Sequence, residues 1–382
     1  MRADGNPRVG TDRRAAHPAG SMTPEPIEIV RVAGTHREVG RQMGAWALDR
    51  IQAEVVSLRE DLPAGRTWDD QRAIASEYRA FTEPRLPWLI DELDGCAEAA
   101  DVDPLEFFAA SMEEIWYQPR TKETQGRCSD LVAGPSATRD GHLLVGHTND
   151  LRPSAEPMIV GLEKRVHGDP VIFQLGGVPW LSVGWNSAGL SLTGNELSPN
   201  DERVGISRSH QVLEMMRARS LSEMVAMALR PDRASSYNNV LTAADGGVAN
   251  IEGSATDAEI TGLDDADHLA HTNHYVCDRM LTFEGDPAYA TRSDVRYRRA
   301  RTLLAQQPAG GITPDSMRDM LADHEGAPDS ICRHPDEVTG EGTKTVFWCV
   351  ADVTEGAIEF GRGNPCDSTA QHYAFEGYAP VG

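Results

Sequence analysis

The spacing of apolar residues changes at Cys128, and this change limits the folds that the chain can adopt. Before Cys128, apolar residues recur every three or four positions, as at Val39, Met43 and Trp46, which predicts helices. After Cys128, short apolar segments alternate with turns rich in Gly, Asn and Asp, which predicts strands. Many strands in succession, with the helices grouped between them, indicate an α+β fold and not repeated βαβ units.

Four helices are predicted before Cys128. The first begins at the capping box Thr35–Glu38 and continues to about Val55. The fourth begins at Asp103-Pro104, and its apolar stripe extends to Ile115 and Trp116. The second and third cover about 69–82 and 86–100. Beyond Cys128 we predict helices at 208–229, 292–306 and 314–323, and strands at 129–133, 142–146, 158–166, 171–176, 181–186, 189–194, 239–245, 248–252, 257–261, 345–352 and 357–361.

The charge and the terminal sequence exclude several classes of partner. The chain carries 36 Lys+Arg against 59 Asp+Glu, a formal net charge of -23, so we expect neither nucleic acid nor an anionic membrane as a partner. No run of about 18 apolar residues is present, so no membrane span is expected. Residues 1–25 are rich in Gly, Pro and Arg without an apolar core, which predicts a disordered lead-in and not a secretory signal.

The cysteines are scattered and form no CxxC pair. In a chain of 382 residues this pattern indicates reduced thiols and a cytoplasmic protein, not a disulfide framework. The six are Cys96, Cys128, Cys277, Cys332, Cys349 and Cys366.

Cys128 heads a predicted strand after a Gly-containing loop, a position suited to a nucleophile. A thiol needs a base, and an α-amine freed by cutting the chain before Cys128 would supply one, with an unperturbed pKa of about 7.7–8.0. An out-and-back strand pair would also return Asp150 beside the cysteine, where it could hold the new ammonium group. The alternative is a buried structural cysteine and a solvated turn aspartate.

Two further segments carry groups that could stabilise an oxyanion. The hairpin 184–195 ends at Asn195, whose main-chain N–H could serve, and Asn273 offers a side-chain amide. The segment 268–277 also contains His268, His271, His274 and Cys277, which leaves a metal site open as an alternative.

The predicted helix at 292–306 carries several arginines, of which one turned inward could pair with a carboxylate. We assign further residues as candidates for substrate binding, although aromatic residues in such positions more often belong to the core. They are His147, Asn149, Trp185, His274 and Tyr275.

Six motifs occur in an order that resembles a known family. They are Cys128-Ser129, the run from Asp140 to Asp150, Gly189 to Asn195, Thr272-Asn273-His274, Ser330-Ile331-Cys332-Arg333-His334 and Gly363-Asn364-Pro365-Cys366. Together, over about residues 27–380, they resemble the acyl-coenzyme A:6-aminopenicillanate acyltransferase family of N-terminal-nucleophile hydrolases, which is related to bile-salt hydrolases and penicillin V acylases.

The resemblance implies a four-layer αββα sandwich that is made as a precursor and cut between Arg127 and Cys128. One composite domain would then consist of a mainly helical segment, 26–127, and a segment 128–382 that begins with the nucleophile. The implied catalytic residues are Cys128 (nucleophile, with its α-amine as base), Asp150, Asn195 (main chain), Asn273 (side chain) and Arg296.

Two positions depart from the family pattern. His147 stands where the bile-salt hydrolase branch has Arg, and Arg127 stands where family precursors usually have Gly. The first affects ion pairing beside the nucleophile, and the second affects the rate of self-cleavage.

From these features we predict a self-processing cysteine amidohydrolase that cleaves a linear amide through an acyl-enzyme. It would act on a small-molecule substrate without a cofactor or a bound metal, and a homo-oligomer remains open. An acyltransferase is the first alternative, since an amine acceptor would use the same acyl-enzyme. A metal-binding protein that uses the 268–277 cluster and an uncut, non-catalytic binding domain are the others.

Overall fold

The computed structural model describes residues 25–60, 62, 65–114, 127–336, 339–340 and 342–378. The predicted lead-in lies outside these residues except for Glu25. Ile115 and Trp116, at the end of the predicted fourth helix, also lie outside them.

Two β-sheets form the centre of the described structure. The larger sheet contains, in spatial order, β1 (Ile29–Gly34), β4 (Val160–Val166), β5 (Ile172–Gly176), β6 (Leu181–Asn186), β7 (Leu190–Asn195), β8 (Asn238–Ala243), β9 (Val248–Gly253) and β10 (Ala258–Thr261). The smaller contains β11 (His268–His271), β2 (Arg127–Ala133), β3 (Leu144–Leu151), β12 (Lys344–Asp352), β13 (Ala357–Arg362) and β14 (Gln371–Ala374). Neighbouring strands are antiparallel in both sheets, apart from the parallel pair β1–β4.

Helices cover the outer face of each sheet. Those on the larger sheet are α1 (His36–Trp46), α2 (Leu48–Glu60), α3 (Trp68–Thr82), α4 (Pro87–Ala99), α5 (Pro104–Ala110), α6 (Arg208–Met215) and α7 (Leu221–Ala228). Those on the smaller sheet are α8 (Pro287–Ala305) and α9 (Pro314–Leu321). A third apolar core, which includes Phe173, Val183, Phe347 and Phe360, lies between the sheets. The order of layers is therefore helix, sheet, sheet, helix, which confirms the predicted α+β fold.

Local capping signals placed several helix starts correctly. Thr35 and Glu38 form the predicted reciprocal capping box, and the Asp103 side chain accepts from the N–H groups of Leu105 and Glu106. The helix predicted from 292 begins earlier, because Asp286 caps the N–H of Tyr289 and Pro287 occupies the first turn.

The helix predicted over 208–229 is interrupted by a distant side chain. Asn186 Nδ2 donates to the main-chain carbonyls of Met216 and Ala218, both at 2.9 Å, and this removes those oxygens from helical hydrogen bonds. Ser220 then caps the second helix. The predicted helix through Val55 is likewise two helices, divided at Ala47. Strands β1, β11 and β14 were not in the predicted strand set.

Glycines allow the backbones of α1 and α4 to approach closely. A Cβ on Gly40 would lie 2.0 Å from the carbonyl oxygen of Glu92, and one on Gly44 would lie 2.2 Å from that of Cys96. From the other side, a Cβ on Gly95 would lie 2.4 Å from the carbonyl oxygen of Arg37. The two helices therefore pack as they do only because these three positions lack side chains.

Gly40→Ala should destabilise the protein by about 1–3 kcal/mol, because the new methyl group forces the two helices apart. Urea unfolding followed by circular dichroism measures the change. Ala45→Ser, at an exposed position of the same helix, is the control and should change the free energy of unfolding by less than about 0.5 kcal/mol. Equal unfolding curves for the two variants would contradict the packing argument.

Candidate active site

Cys128 lies on β2, directly opposite Asn149 on β3, so the predicted out-and-back strand pair exists. Val132 and Val145 belong to the core between the sheets, whereas Leu131 and Leu144 face α8 and α9. Side chains alternate along a strand, so Cys128 and Asn149 face the space between the sheets. Asp150 is opposite Arg127, on the helix side. It is therefore close to the backbone of Cys128 but not on the face of its thiol.

The peptide groups of Cys128 are held by side chains from other elements. Its N–H donates to Asn273 Oδ1 at 2.8 Å, and its carbonyl oxygen accepts a short hydrogen bond from Arg296 Nη1. Arg296 also donates to Ser129 Oγ at 3.0 Å and, through Nη2, to Asn273 Oδ1 at 2.9 Å. The structure thus brings Cys128, Asn273 and Arg296 together, and Arg296 is the inward arginine of the predicted helix.

The thiol of Cys128 is buried beside carboxylates. Burial, followed by the charges of Asp150 and Asp130, raises its pKa well above its ordinary value, and Arg296 opposes this only in part. The Sγ atom accepts a hydrogen bond from Asn149 Nδ2 at 3.5 Å, and this amide also donates to Ser182 Oγ at 2.7 Å. The thiol is therefore protonated at neutral pH, and it reacts slowly unless a base takes its proton.

Asp150 has one carboxylate oxygen in use and one without a described partner. Thr345 Oγ1 donates to Oδ1 at 2.7 Å, whereas Oδ2 is buried and has no hydrogen-bond partner within the described residues. Burial raises the pKa of Asp150, and the charge of Arg296 counteracts this. Asp150 can therefore accept one further hydrogen bond beside the backbone of Cys128.

Arg127, which precedes Cys128, is buried and anchored. Its guanidinium donates to Asp329 Oδ1 at 2.5 Å, and the same carboxylate binds Arg292 and Arg333. Burial, followed by repulsion from Arg333 and Arg292, lowers the pKa of Arg127 to about 10. Where family precursors usually have Gly, this chain has a fixed side chain on the helix side of the sheet.

Asn195 and Asn273, predicted to bind an oxyanion, belong to one hydrogen-bonded network. Asn273 Nδ2 donates to the carbonyl oxygen of Glu196, the residue after Asn195, at 3.1 Å. Asn195 Oδ1 accepts from His271 Nδ1 at 2.9 Å and from Asn238 Nδ2 at 3.3 Å. The side-chain Nδ2 of Asn195 is buried without a partner in the described part of the chain.

Glu252 supports this network, and sequence reasoning did not find it. It accepts from His271 Nε2 at 3.0 Å and from the N–H groups of Val276 and Cys277. Burial alone would raise the pKa of Glu252, but these hydrogen bonds hold it below its ordinary value. Nothing in the local sequence of β9 signals the role, because the partners are remote along the chain.

The predicted substrate-binding residues do not form one surface. Asn149 contacts the thiol, and His147 on the same face of β3 is fully buried, with Nδ1 2.8 Å from Asp130 Oδ1. Trp185 stacks on Phe173 in the core between the sheets. His274 Nδ1 lies 2.9 Å from Ser293 Oγ, and the Tyr275 hydroxyl donates to the Gly253 carbonyl, in a core with Leu197 and Met280.

The metal site proposed for 268–277 is wrong. Both ring nitrogens of His271 bind side-chain oxygens, and Nδ1 of His274 lies 2.9 Å from Ser293 Oγ. Within the described residues, one group of His, Cys, Asp or Glu side chains has ligand atoms close enough to share a metal ion. It consists of His324, Cys332, His334 and Cys366, in another part of the fold.

In the parts of the chain that the structure describes, no helix is both long and apolar enough to cross a membrane.

Fold and site together define a four-layer αββα protein with a cysteine on the second strand of the smaller sheet, its thiol between the sheets. Residues 136–367 match the family model of acyl-coenzyme A:6-aminopenicillanic acid acyl-transferase. Because this match covers more than half of the chain, the chain belongs to that family, as its motifs predicted.

A curated relative matches part of the sequence. The β-alanyl-dopamine/carcinine hydrolase of Drosophila melanogaster is 27% identical over 135 residues, which are 32% of this chain and 33% of that protein. The match thus spans about a third of the relative's length.

Two solved structures are similar at low sequence identity. A mutant of the conjugated bile acid hydrolase from Clostridium perfringens shares 10% identity, with a TM-score of 0.44, over 67% of this chain and 99% of that one. The penicillin V acylase from Agrobacterium tumefaciens shares 13% identity, with a TM-score of 0.37, over 62% of this chain and 83% of that one.

Glu252→Gln should destabilise the protein by about 1.5–3 kcal/mol at pH 7, the usual cost of losing hydrogen bonds to a charged acceptor. A carboxyl whose folded pKa is lowered stabilises the fold above its ordinary value of 4.5 and loses that contribution as the pH falls through the lowered value. The difference from the unsubstituted chain should therefore shrink below about pH 4.5.

Urea unfolding at several pH values measures this difference. The control is Glu259→Gln on the neighbouring strand β10, where the carboxylate forms an ion pair with the exposed Arg279. A Glu252→Gln protein as stable as the control at pH 7 would show that the network does not depend on the carboxylate.

Proposed function

We propose that the protein is a self-processing cysteine amidohydrolase that cleaves a linear amide through an acyl-enzyme at Cys128. One observation carries the proposal. The N–H and C=O groups of Cys128 are held by Asn273 and Arg296, while the thiol faces the space between the sheets and its pKa is raised by burial and nearby carboxylates. Such a site is incomplete in the uncut chain and becomes complete when the N–H group becomes an amine.

Self-cleavage would begin with attack of Cys128 Sγ on the carbonyl carbon of Arg127. The S–C bond forms, the peptide C–N bond breaks, and the thiol proton goes to the released nitrogen. Water then hydrolyses the thioester, which frees the thiol and leaves a carboxylate on Arg127. The pairing of Arg127 with Asp329 supports this step, because it holds the acyl side of the bond in place.

The new α-amine would remain where the N–H group lies now. Asn273 Oδ1, 2.8 Å away, can accept one of its hydrogens, and Asp150 Oδ2, which has no partner among the described residues, can accept another. An α-amine has an ordinary pKa of about 7.7–8.0, so it can take the thiol proton near neutrality. The amine would thus allow the thiol to ionise although burial, Asp150 and Asp130 raise its pKa.

In turnover, the Cys128 thiolate attacks the substrate carbonyl and the developing oxyanion is stabilised by N–H donors. The main-chain N–H of Asn195 and the amide of Asn273 are the proposed donors. Asn273 Nδ2 has two hydrogens, of which the Glu196 carbonyl takes one. The protonated α-amine gives its proton to the leaving amine, and water hydrolyses the acyl-enzyme.

Cys128→Ala should remain a single chain of about 41.6 kDa on a denaturing gel, whereas the unsubstituted protein should give two bands at about one third and two thirds of that mass. One thiol serves both cleavage and turnover, so amide hydrolysis should also fall to background. Mass spectrometry of the larger fragment should show a chain that begins at Cys128.

The matched control is Cys277→Ser, which removes a thiol far along the chain and should be cut normally. A Cys128→Ala chain that is still cut at this bond would exclude self-cleavage by the thiol.

We further propose that the acyl group of the substrate carries a positively charged amino group. The largest charge effects on the Cys128 thiol come from three carboxylates, Asp150, Asp130 and Glu196, and from the guanidinium of Arg296. Burial and neighbouring carboxylates raise the pKa of Glu202, which interacts with Glu196, to about 8. The partial likeness to a hydrolase of β-alanyl-dopamine and carcinine supports the same class of substrate.

A matched pair of substrates tests the charge preference. A β-alanyl amide with a free amino group should be hydrolysed with a kcat/KM at least about tenfold above that of its N-acetylated form, which corresponds to about 1.4 kcal/mol. Amine release measures both. Equal rates, or a preference for the capped form, would contradict the proposal on charge and leave the proposal on the nucleophile intact.

Acyl transfer is the second candidate, because the family is named for it. Acyl-coenzyme A is anionic, and both the net charge of -23 and the carboxylates near Cys128 disfavour it. Release of free coenzyme A thiol from acyl-coenzyme A, dependent on Cys128, would establish transfer.

A reducing compartment such as the cytoplasm is proposed from the free state of all six cysteines.

A further inference from the structure

Four ligand-type side chains converge at the surface beyond α9. His324 follows that helix, Cys332 and His334 lie on the next segment, and Cys366 follows β13. Their sulfur and nitrogen atoms all lie within 4.8 Å of one another. Cys332, His334 and Cys366 belong to two of the motifs noted in the sequence, and the proposed amide hydrolysis uses none of them.

Four of the six distances between these atoms are close to those of a tetrahedral zinc site, and the two between His324 and the sulfurs are within 4.8 Å. Zn–S bonds of about 2.3 Å and Zn–N bonds of about 2.0–2.1 Å require about 3.8 Å between two sulfurs, about 3.5 Å between sulfur and nitrogen, and about 3.3 Å between two nitrogens. The Sγ atoms of Cys332 and Cys366 are 3.6 Å apart, and His334 Nε2 is 3.7 and 3.5 Å from them. His324 Nε2 and His334 Nε2 are 3.1 Å apart.

The surroundings of the cluster suit a thiolate–metal centre. Asn364 Nδ2 donates to Cys332 Sγ at 3.4 Å and to the carbonyl oxygen of Arg333 at 2.7 Å. An N–H group directed at a ligand sulfur stabilises the thiolate and fixes its orientation. Two thiolates also neutralise the charge of a divalent ion, and two imidazoles complete a four-coordinate set.

We propose that His324, Cys332, His334 and Cys366 form a structural zinc site. Four protein ligands leave no open position, so the ion would hold the fold together and would not bind substrate. The site is distinct from Cys128 and from the 268–277 segment.

The segment that the zinc would fix also carries contacts to the candidate active site. Arg333, between two of the ligands, donates through its N–H to Thr345 Oγ1 at 2.9 Å, and Thr345 donates to Asp150. The Arg333 side chain donates to Asp329, which binds Arg127. Zinc binding is therefore expected to preserve the position of the residue before the scissile bond.

Elemental analysis of the purified full-length chain by mass spectrometry tests the proposal. The unsubstituted protein should contain about one zinc per chain, and Cys366→Ser or His324→Ala should contain less than about a tenth of that. Asn364→Ala removes the hydrogen bonds to Cys332 Sγ and to the Arg333 carbonyl but no zinc ligand, and it should weaken zinc binding by about 10–100-fold. Cys277→Ser, a thiol outside the cluster, should retain the full amount.

Two further measurements apply if a variant fails to fold. Titration of the native, unsubstituted protein with an organomercurial reagent should release zinc as two thiols react. Cobalt substitution should give the visible absorption of a tetrahedral ion with thiolate ligands. Three results would overturn the proposal: a chain without metal, zinc that persists in Cys366→Ser, or a Cys332–Cys366 disulfide in peptide mapping.

The link to processing rests on the proposed function and needs its own readout. In Cys366→Ser the two fragments should appear several-fold more slowly than in the unsubstituted chain, with a lower Tm. Loss of zinc and Tm without an effect on the rate would overturn the link but not the site. An unsubstituted chain that binds zinc and is never cut would refute self-processing alone.

Discussion

The rest of the candidate site depends on the hydrogen bonds by which Asn273 and Arg296 hold the main-chain N–H and C=O groups of Cys128. Asn273 comes from the loop after β11 and Arg296 from α8, so these hydrogen bonds form only when the smaller sheet and its helix layer are assembled. The positive charge of Arg296 also lowers the pKa of the thiol, against the nearby carboxylates that raise it. The same guanidinium therefore fixes the geometry of Cys128 and limits the cost of placing carboxylates around it.

Local chemistry explains what the sequence could and could not predict. The capping residues Thr35 and Asp103 act on neighbours three residues away or fewer, and helix starts were placed correctly there. The end of α6 depends on Asn186, some thirty residues earlier, which no local pattern signals, whereas Ser220 and Glu223 mark the start of α7 locally. Edge strands such as β14 are short and half-exposed, so their alternation is weak.

The same distinction applies to the site. The sequence placed Cys128 and Asp150 near each other because one strand pair carries both, and it added Asn273 and Arg296 because their motifs resemble a family. Glu252, Asn238 and Asp329 were missed, since each acts through partners brought together only by the fold. The cysteines at 332 and 366 seemed scattered along the chain, yet their sulfur atoms are neighbours. Spacing along the sequence is thus a poor guide to ligands that come from different loops.

The parallel pair β1–β4 has a consequence for a chain cut before Cys128. β1 and the five helices that follow it would belong to one product, whereas β4 and the remaining strands of the larger sheet would belong to the other. The two products would share one hydrogen-bonded sheet and one apolar core, and they could not part without exposing both to water. Scission would convert a covalent connection into an obligate association of two polypeptides. Once thermally unfolded, such a pair would have to find its partner again in solution, so its recovery would depend on concentration, unlike that of the uncut chain.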